Sequence, residues 1–507
     1  MTASNIKPNI LVIITDQLRQ DHLGCYGNTI VRTPNLDRLA VQGVRCDRHY
    51  VNNPLCMPSR STLFTGMTPR GHTVRANGIN LPLHFPVLPG ILASHGYQSH
   101  MVGKLHLTNH VKNVPWHRTE DDECAKLKEG LPVRGFESGE MSIGHGNYMR
   151  GAYLDWLEQK LDGAPSPWDL THEGMGYGAE QCYYTEITEE LHHSTWIGER
   201  TIDFLEERDR NRPFFLWCSF PDPHHPYCPP QEYAEMYPPE EMPLPARREG
   251  ELDSLGPHFQ LAYKGTQMLA GRFFHEPTLM TDMQYREIIG LTYGMVSLID
   301  VNVGRILDTL RALDLEQDTI VIFTSDHGDV MGDHWLMNKG PFQFEGLLKV
   351  PFIVRWPGKY ASSREISCLT SHLDFLPTTL DILGLAYPEG DVPDPPEAPR
   401  QRPPLVGASM ASLLAGSTEP IHTAVLVEND EDYIGSDLRT VITERYKLTC
   451  YSGHDFGELF DLQEDPDELH NLWDVPEHQT LKLEMKAKLL EMIMDTESPL
   501  PRRLSHA

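Results

Sequence analysis

Two short, continuous apolar runs each deliver an aspartate: Asn9 to Thr15 leads into Asp16, and Thr319 to Thr324 leads through Ser325 into Asp326. Runs of this length without polar alternation read as strands buried on both faces. Two acidic strand ends so far apart in sequence meet only if one sheet sets them side by side, which a parallel sheet does. That single constraint limits what the rest of the chain can build.

Strand-like and helix-like patterns alternate across roughly the first 385 residues. Thr33 and Pro34 open a helix through Leu36, Leu39 and Ala40 that closes at Gly43, with a capping residue, a proline at the first helical position and a terminal glycine in order. Gln98 to Val102, Pro213 to Ser219 and Val350 to Trp356 read as further strands. Ile197, Thr201, Phe204 and Leu205 line one helix face, and Ile288, Thr292, Met295, Val296, Ile299, Val303, Ile306 and Leu310 form a long stripe at helical spacing, read as a core helix. The expected fold class is α/β, a mostly parallel sheet sandwiched by helices, with functional groups outside the carboxyl ends of the strands.

Residues 387–404 are rich in proline and acidic groups and read as a linker. Beyond them Thr423 to Glu428, Leu438 to Thr443, Tyr446 to Tyr451 and Glu458 to Asp461 are short strands, followed by a helix from Gln479 to Met494. The expected division is a main domain over 1–386, a linker or crossing over 387–420, and a small antiparallel C-terminal α+β subdomain with a tail over 421–507.

Composition excludes several classes. The balance of 43 basic against 72 acidic residues gives a net charge of -29, which disfavours nucleic acid and anionic membrane surfaces. The run Ile10 to Ile14 is too short to span a membrane, and Met1 to Asn5 does not begin a secretion signal. Nine cysteines are scattered without paired spacing, which argues against a disulfide framework, so the expected compartment is cytoplasmic.

One of those cysteines stands in Cys56-Met57-Pro58-Ser59-Arg60, followed by Ser61-Thr62-Leu63-Phe64-Thr65-Gly66. Alone, the pentapeptide is equally a buried cysteine before a proline-started helix. Together with Asp16 and Asp326 it resembles the signature of the type I, formylglycine-dependent sulfatases of the alkaline phosphatase superfamily. The resemblance implies an alkaline-phosphatase-like fold, and oxidation of Cys56 to formylglycine by a formylglycine-generating enzyme that reads this segment before folding. It also implies attack of the hydrated aldehyde on sulfur. A helix started by Pro58 would aim free N–H groups at the bound anion.

The same resemblance assigns further residues. Asp16, Gln17, Cys56, Asp326 and His327 would hold one divalent metal, Ca2+ first and Mn2+ as the alternative because histidine is a softer ligand. Lys104 and His106, in Gly103-Lys104-Leu105-His106, would bind the formylglycine and sulfate oxygens. His224, in Pro223-His224-His225-Pro226-Tyr227, would contact the leaving-group side, with the adjacent His225 as a competitor. Lys339 would be a second sulfate-binding lysine, and Arg60 would hold the charge of the reacting group.

Asp16-Gln17 and Asp326-His327 resemble the branch that holds phosphonate monoester hydrolases and choline sulfatase, whereas Ser59, where the phosphonate enzymes more often carry alanine, favours sulfate. The implied reaction is hydrolysis of a small-molecule or saccharide sulfate ester, with a phosphonate or phosphate ester hydrolase as the alternative. Asn77-Gly78 reads first as a turn, and His145, His192, His193 and His258 as structural or solvated. Aromatic residues including Trp116, Tyr148 and Trp168 read as pocket walls or packed insertions. A homo-oligomer is compatible with the tail from Asp495 to Ala507.

Overall fold

The computed structural model describes residues 7–497 apart from 111–117, 162–169, 174–175, 266–274, 389–404 and 431–434. Trp116, Trp168, most of the proline-rich linker and the tail beyond Glu497 therefore lie outside the described residues.

Nine strands form the main sheet: β1 (Asn9–Thr15), β2 (Val44–Cys46), β3 (Gln98–Gly103), β4 (Ser138–Ile143), β5 (Arg150–Gly151), β6 (Phe214–Ser219), β7 (Thr319–Ser325), β8 (Phe352–Arg355) and β9 (Arg364–Ile366). Their spatial order is β9-β2-β8-β7-β1-β6-β3-β4-β5. The central run from β7 to β4 is parallel throughout, and antiparallel pairings occur only at β8 and β5. Both faces of β1 are buried. Leu11 and Ile13 pack into one core with α4 (His193–Glu207) and α5 (Asp282–Ala312), while Ile10, Val12 and Ile14 pack into another with Met57, Leu63 and Phe64. The sheet is thus sandwiched by helices, as the continuous apolar runs require.

The helix opened by Thr33 and Pro34 is α1 (Pro34–Gln42), but its cap differs from the expectation. The Thr33 hydroxyl turns away, accepting from Gly24 N at 2.9 Å and donating to Asp37 Oδ1 at 3.1 Å. Asp300, from the middle of α5, accepts the first free amides instead, from Asn35 N at 3.0 Å and Leu36 N at 2.8 Å. A carboxylate from another element satisfies the orphan donors of the helix N-terminus.

The second sheet contains β10 (Val425–Asn429), β11 (Leu438–Ile442), β12 (Tyr446–Tyr451) and β13 (Gly457–Asp461), antiparallel in that order. Period-2 alternation divides its faces. Val425, Val427 and Ile442 pack on Tyr50, Val51, Leu348 and Val350 of the main body. Leu426, Val441, Leu448 and Leu459 pack on Met485 and Leu489 of α6 (Gln479–Asp495). No helix among the described residues is long and apolar enough to cross a membrane.

Candidate active site

In-register pairing of β1 with β7, Thr15 opposite Ser325, makes Asp16 and Asp326 emerge side by side. The Asp326 amide donates to Thr15 O at 3.1 Å and the Asp16 amide to Asp222 O at 3.2 Å, so both turns are pinned to their neighbours. Gln17 adopts φ 68°, uncommon for a residue with a side chain, and its amide donates to Asp326 Oδ1 at 3.1 Å.

Cys56 begins α2 (Cys56–Thr65), two residues before the proline expected to start it, and every residue of this helix is buried. The thiol lies 3.6 Å from Asp16 Oδ1 and 3.2 Å from His327 Nε2. His327 Nδ1 sits 2.8 Å from Gly328 O, which assigns the proton to Nδ1 and leaves the Nε2 lone pair facing both aspartates, 3.6 Å from an oxygen of each. One donor atom each from Asp16, Cys56, Asp326 and His327 lies within 4.8 Å of the others. Neighbouring ligands of a cation bound at about 2.3 Å lie roughly 3.2 Å apart, so the donor set and its spacing fit a divalent ion. Gln17 Oε1 accepts from Lys339 Nζ at 2.9 Å at the rim of this cluster.

Basic groups surround it. Lys104 follows β3 at Gly103, where φ is 93° and a Cβ would stand 2.0 Å from Ser219 O, so only glycine fits. The Lys104 ammonium lies 2.5 Å from Asp16 Oδ2 and 2.5 Å from His145 Nε2. Lys339 Nζ lies 3.1 Å from Cys56 Sγ and 3.1 Å from His327 Nε2. The fully buried Arg60 is shared between the carboxylates: Nε donates to Asp326 Oδ2 at 2.7 Å, Nη1 to Lys104 O and Ser219 Oγ, and Nη2 stands 3.5 Å from Asp16 Oδ2.

His145 belongs to this site, contrary to its reading as structural or solvated. Its ring stacks on His224 with centroids 3.7 Å apart and planes at 11°. His224 in turn lies against His225, centroids 4.1 Å apart, and His225 Nδ1 is 3.3 Å from Gln17 Nε2. The signal was positional: β4 is parallel to β3, so a residue just past Ile143 lies at the same sheet edge as Lys104. Asn77, set aside as a turn residue, accepts the Met57 amide at 3.0 Å and steadies the first turn of α2. His193 and His258 are engaged elsewhere, with Asp222 Oδ1 at 2.8 Å and the Tyr451 hydroxyl at 3.2 Å. His106, at φ 54°, donates its amide to Glu120 Oε1 at 3.1 Å.

The electrostatics follow from this crowding. Burial raises the Asp16 carboxyl, yet Lys104 and then His224, His145 and Lys339 outweigh it and hold Asp16 well below the ordinary range. Burial, reinforced by Asp16, pushes the Cys56 thiol up to about 11, so the unmodified side chain is a neutral thiol and a poor nucleophile. Burial first, then Lys104, lowers His145 to about 3, and burial with His145 and Lys339 lowers His224. Burial followed by Lys104 and Arg60 holds His106 well below the usual imidazole value.

Residues 8–385 match the family model described as Sulfatase. The chain belongs to the sulfatase family. Residues 332–495 of this sulfatase also match a model described as N-sulphoglucosamine sulphohydrolase, C-terminal. An arylsulfatase of Clostridium perfringens (strain 13 / Type A) is 28% identical over 488 residues, covering 94% of this chain and 92% of that protein. A choline-sulfatase of Rhizobium meliloti (strain 1021) is 27% identical over 474 residues, covering 93% and 83%. The crystal structure of phosphonate monoester hydrolase of Agrobacterium radiobacter superimposes with a TM-score of 0.80 at 27% identity, covering 98% of this chain and all of that one. This sulfatase is a sulfuric ester hydrolase, and its family in general uses a metal and a formylglycine. The four-donor cluster is where such a metal fits.

Proposed function

We propose that this sulfatase hydrolyses sulfate monoesters of small molecules or saccharides with residue 56 carried as formylglycine and one divalent ion bound by Asp16, Gln17, Asp326, His327 and residue 56. The observation that carries the proposal is the convergence of two strand-end carboxylates, one imidazole and the Cys56 side chain within 4.8 Å. Ca2+ suits the carboxylates, with Mn2+ the alternative that His327 admits, and when bound such an ion supplies Lewis-acid polarisation of a sulfate oxygen. Hydrated formylglycine supplies a hydroxyl nucleophile where the thiol stands.

The chain's own side chains do the rest. Arg60 fixes the two carboxylates at the spacing a cation needs. Lys339, 3.1 Å from the reacting side chain, holds a proton beside it and binds the anion. Lys104 brings a second positive charge to the same edge, and His106 orients the sulfate oxygens from the loop after β3. His224, ordered by the stacked His145, faces the leaving alcohol.

Peptide mass mapping tests the proposal: the Cys56 peptide should carry an aldehyde, and aryl sulfate turnover should rise with that fraction. Full activity in a preparation that is entirely thiol would reject it. A second reading, hydrolysis of phosphonate or phosphate esters at the same groups, draws support from the fold shared with phosphonate monoester hydrolase and from Gln17 and His327. Comparing an aryl sulfate with an aryl phenylphosphonate on one preparation decides between them, a strong phosphonate preference favouring the second.

Further parts of this reading are a catalytic unit over 1–386 joined through 387–420 to a C-terminal unit over 421–507, maturation by a formylglycine-generating enzyme, and self-association. A cytoplasmic setting suits nine free thiols.

A further inference from the structure

Beside the main cluster, on the loop after β3 and the first turn of α3 (Glu120–Lys128), lies a second group of metal-ligating side chains. One donor atom each from His106, His110 and Glu120 lies within 4.8 Å of the others. None of the three is among the ligands of the first cluster. His106 is 8% exposed, and its buried Nδ1 has no hydrogen-bond partner in the structure. A buried imidazole nitrogen without a partner loses the free energy that a hydrogen bond or a metal bond would return.

The donor types are those of a borderline cation. Two imidazoles and one carboxylate form a three-ligand zinc set that leaves a fourth position open. Ligands of a tetrahedral ion bound at about 2.0–2.1 Å stand roughly 3.4 Å apart, so only a small contraction is required. His110 is exposed and free to supply it by a change of rotamer. Charge around the three donors is mixed: Glu120, Asp121, Asp122 and Glu123 crowd the first turn of α3, while Lys104 and Arg60 act on His106, and Lys104 and Arg150 on His110. Glu123 is already paired with Arg134 at 2.9 Å, which leaves Glu120 as the available buried carboxylate.

We infer that His106, His110 and Glu120 form a second cation site, selective for a borderline ion such as Zn2+, whose occupation withdraws His106 from the sulfate ester and stops turnover. The site is inhibitory by construction, because one residue serves two mutually exclusive ligands. Its chemistry differs from that of the oxygen-rich Asp16–Asp326 cluster, so a hard ion fills the first site without filling the second. The inhibitory half rests on the role proposed above for His106; the binding half does not.

The experiment uses full-length enzyme already loaded with Ca2+, titrated with Zn2+ for activity and with Co2+ for visible d–d absorption, alongside His110→Ala. His110 lies on the surface outside the proposed reaction machinery, so the variant should fold and turn over normally. Wild type should bind one additional Co2+ with a tetrahedral-type spectrum, and the variant should lose that spectrum. The Zn2+ concentration for half-inhibition should rise about tenfold or more in the variant, in keeping with the loss of one ligand. Equal spectra and equal inhibition in both proteins would overturn the proposal, placing the zinc effect at the Asp16 cluster. Co2+ bound through His110 with turnover untouched by Zn2+ would overturn it too, and would locate the failure in the role given to His106.

Discussion

Asp326 is held from three sides: its carboxylate takes Arg60 Nε at 2.7 Å and the Gln17 amide at 3.1 Å, and its own amide binds Thr15 O. Asp326→Asn keeps the shape and removes the charge, leaving Arg60 facing a single carboxylate. Bound metal and turnover should fall together by about 100-fold or more, read by atomic emission and initial rates on the same sample; full retention of metal would remove Asp326 from the ligand set. His145→Ala should behave differently. Loss of the ring frees Lys104 and His224 and takes from the proposed ligands only a 3.8 Å contact to Asp16, which Lys104 still holds, so turnover should drop about tenfold while metal content stays nearly constant. A parallel loss of metal would mean that His145 acts through Asp16. Asp16, Cys56 and Asp326 were legible in the sequence because strand ends and a cysteine-proline segment leave local marks. His145 was not, because β4, Ser-Gly-Glu-Met-Ser-Ile, lacks the apolar run that marks a strand, and its place beside β3 exists only in the folded sheet.

At the scale of elements, the strong periodic segments were readable and the weak ones were not. β1, β6, β7 and α5 lie close to where their patterns put them, whereas β2 and β9, three residues each, carry no period at all. Helix α1 shows a subtler gap, since its stabilising carboxylate comes from Asp300 on α5. Gly304, one turn further along α5, gives Asn35 room, because a Cβ there would stand 2.6 Å from the Asn35 side chain. Asp300→Ala should cost about 1–2 kcal/mol in denaturant unfolding, and Asp300→Asn less because an acceptor remains; equal costs would deny the capping role. A second long-range tie, His422 Nε2 to Asp374 Oδ1 at 2.7 Å, supplies a pH test. Burial opposes protonation of His422, but Asp374 wins and raises its pKa above 6.5. A raised histidine stabilises fully below the unfolded value and loses that contribution as pH climbs through the folded value. The drop in melting temperature caused by His422→Gln should therefore be larger near about pH 5.5 than near about pH 8.5. A pH-independent drop would leave packing as the whole of its contribution.

Across the molecule, the four-stranded sheet shares hydrophobic material with the main body in a way that its strand pattern does not announce. The inner face of the four-stranded sheet, through Val425, Val427 and Ile442, is buried against Tyr50, Val51, Leu348 and Val350. Those segments lead directly to Cys56 and away from Lys339. Polar ties run the same way, with Asn53 Nδ2 donating to Glu428 O at 2.7 Å and Asn429 Nδ2 to Gly340 O at 3.0 Å. Strand β10 thus braces both the loop that leads to Cys56 and the residue next to Lys339. Ile442→Ala removes buried volume at that shared surface and should destabilise by about 2–5 kcal/mol. If the sheets unfold as one unit, activity, near-ultraviolet and far-ultraviolet dichroism should all move to lower temperature together, in a single coincident transition. Independent sheets would instead show an early transition confined to part of the far-ultraviolet signal, with the midpoint for loss of activity unchanged. The packing at Tyr50 and Leu348 argues for the first outcome, because exposing that face would release apolar surface from the small sheet and from the main body at once.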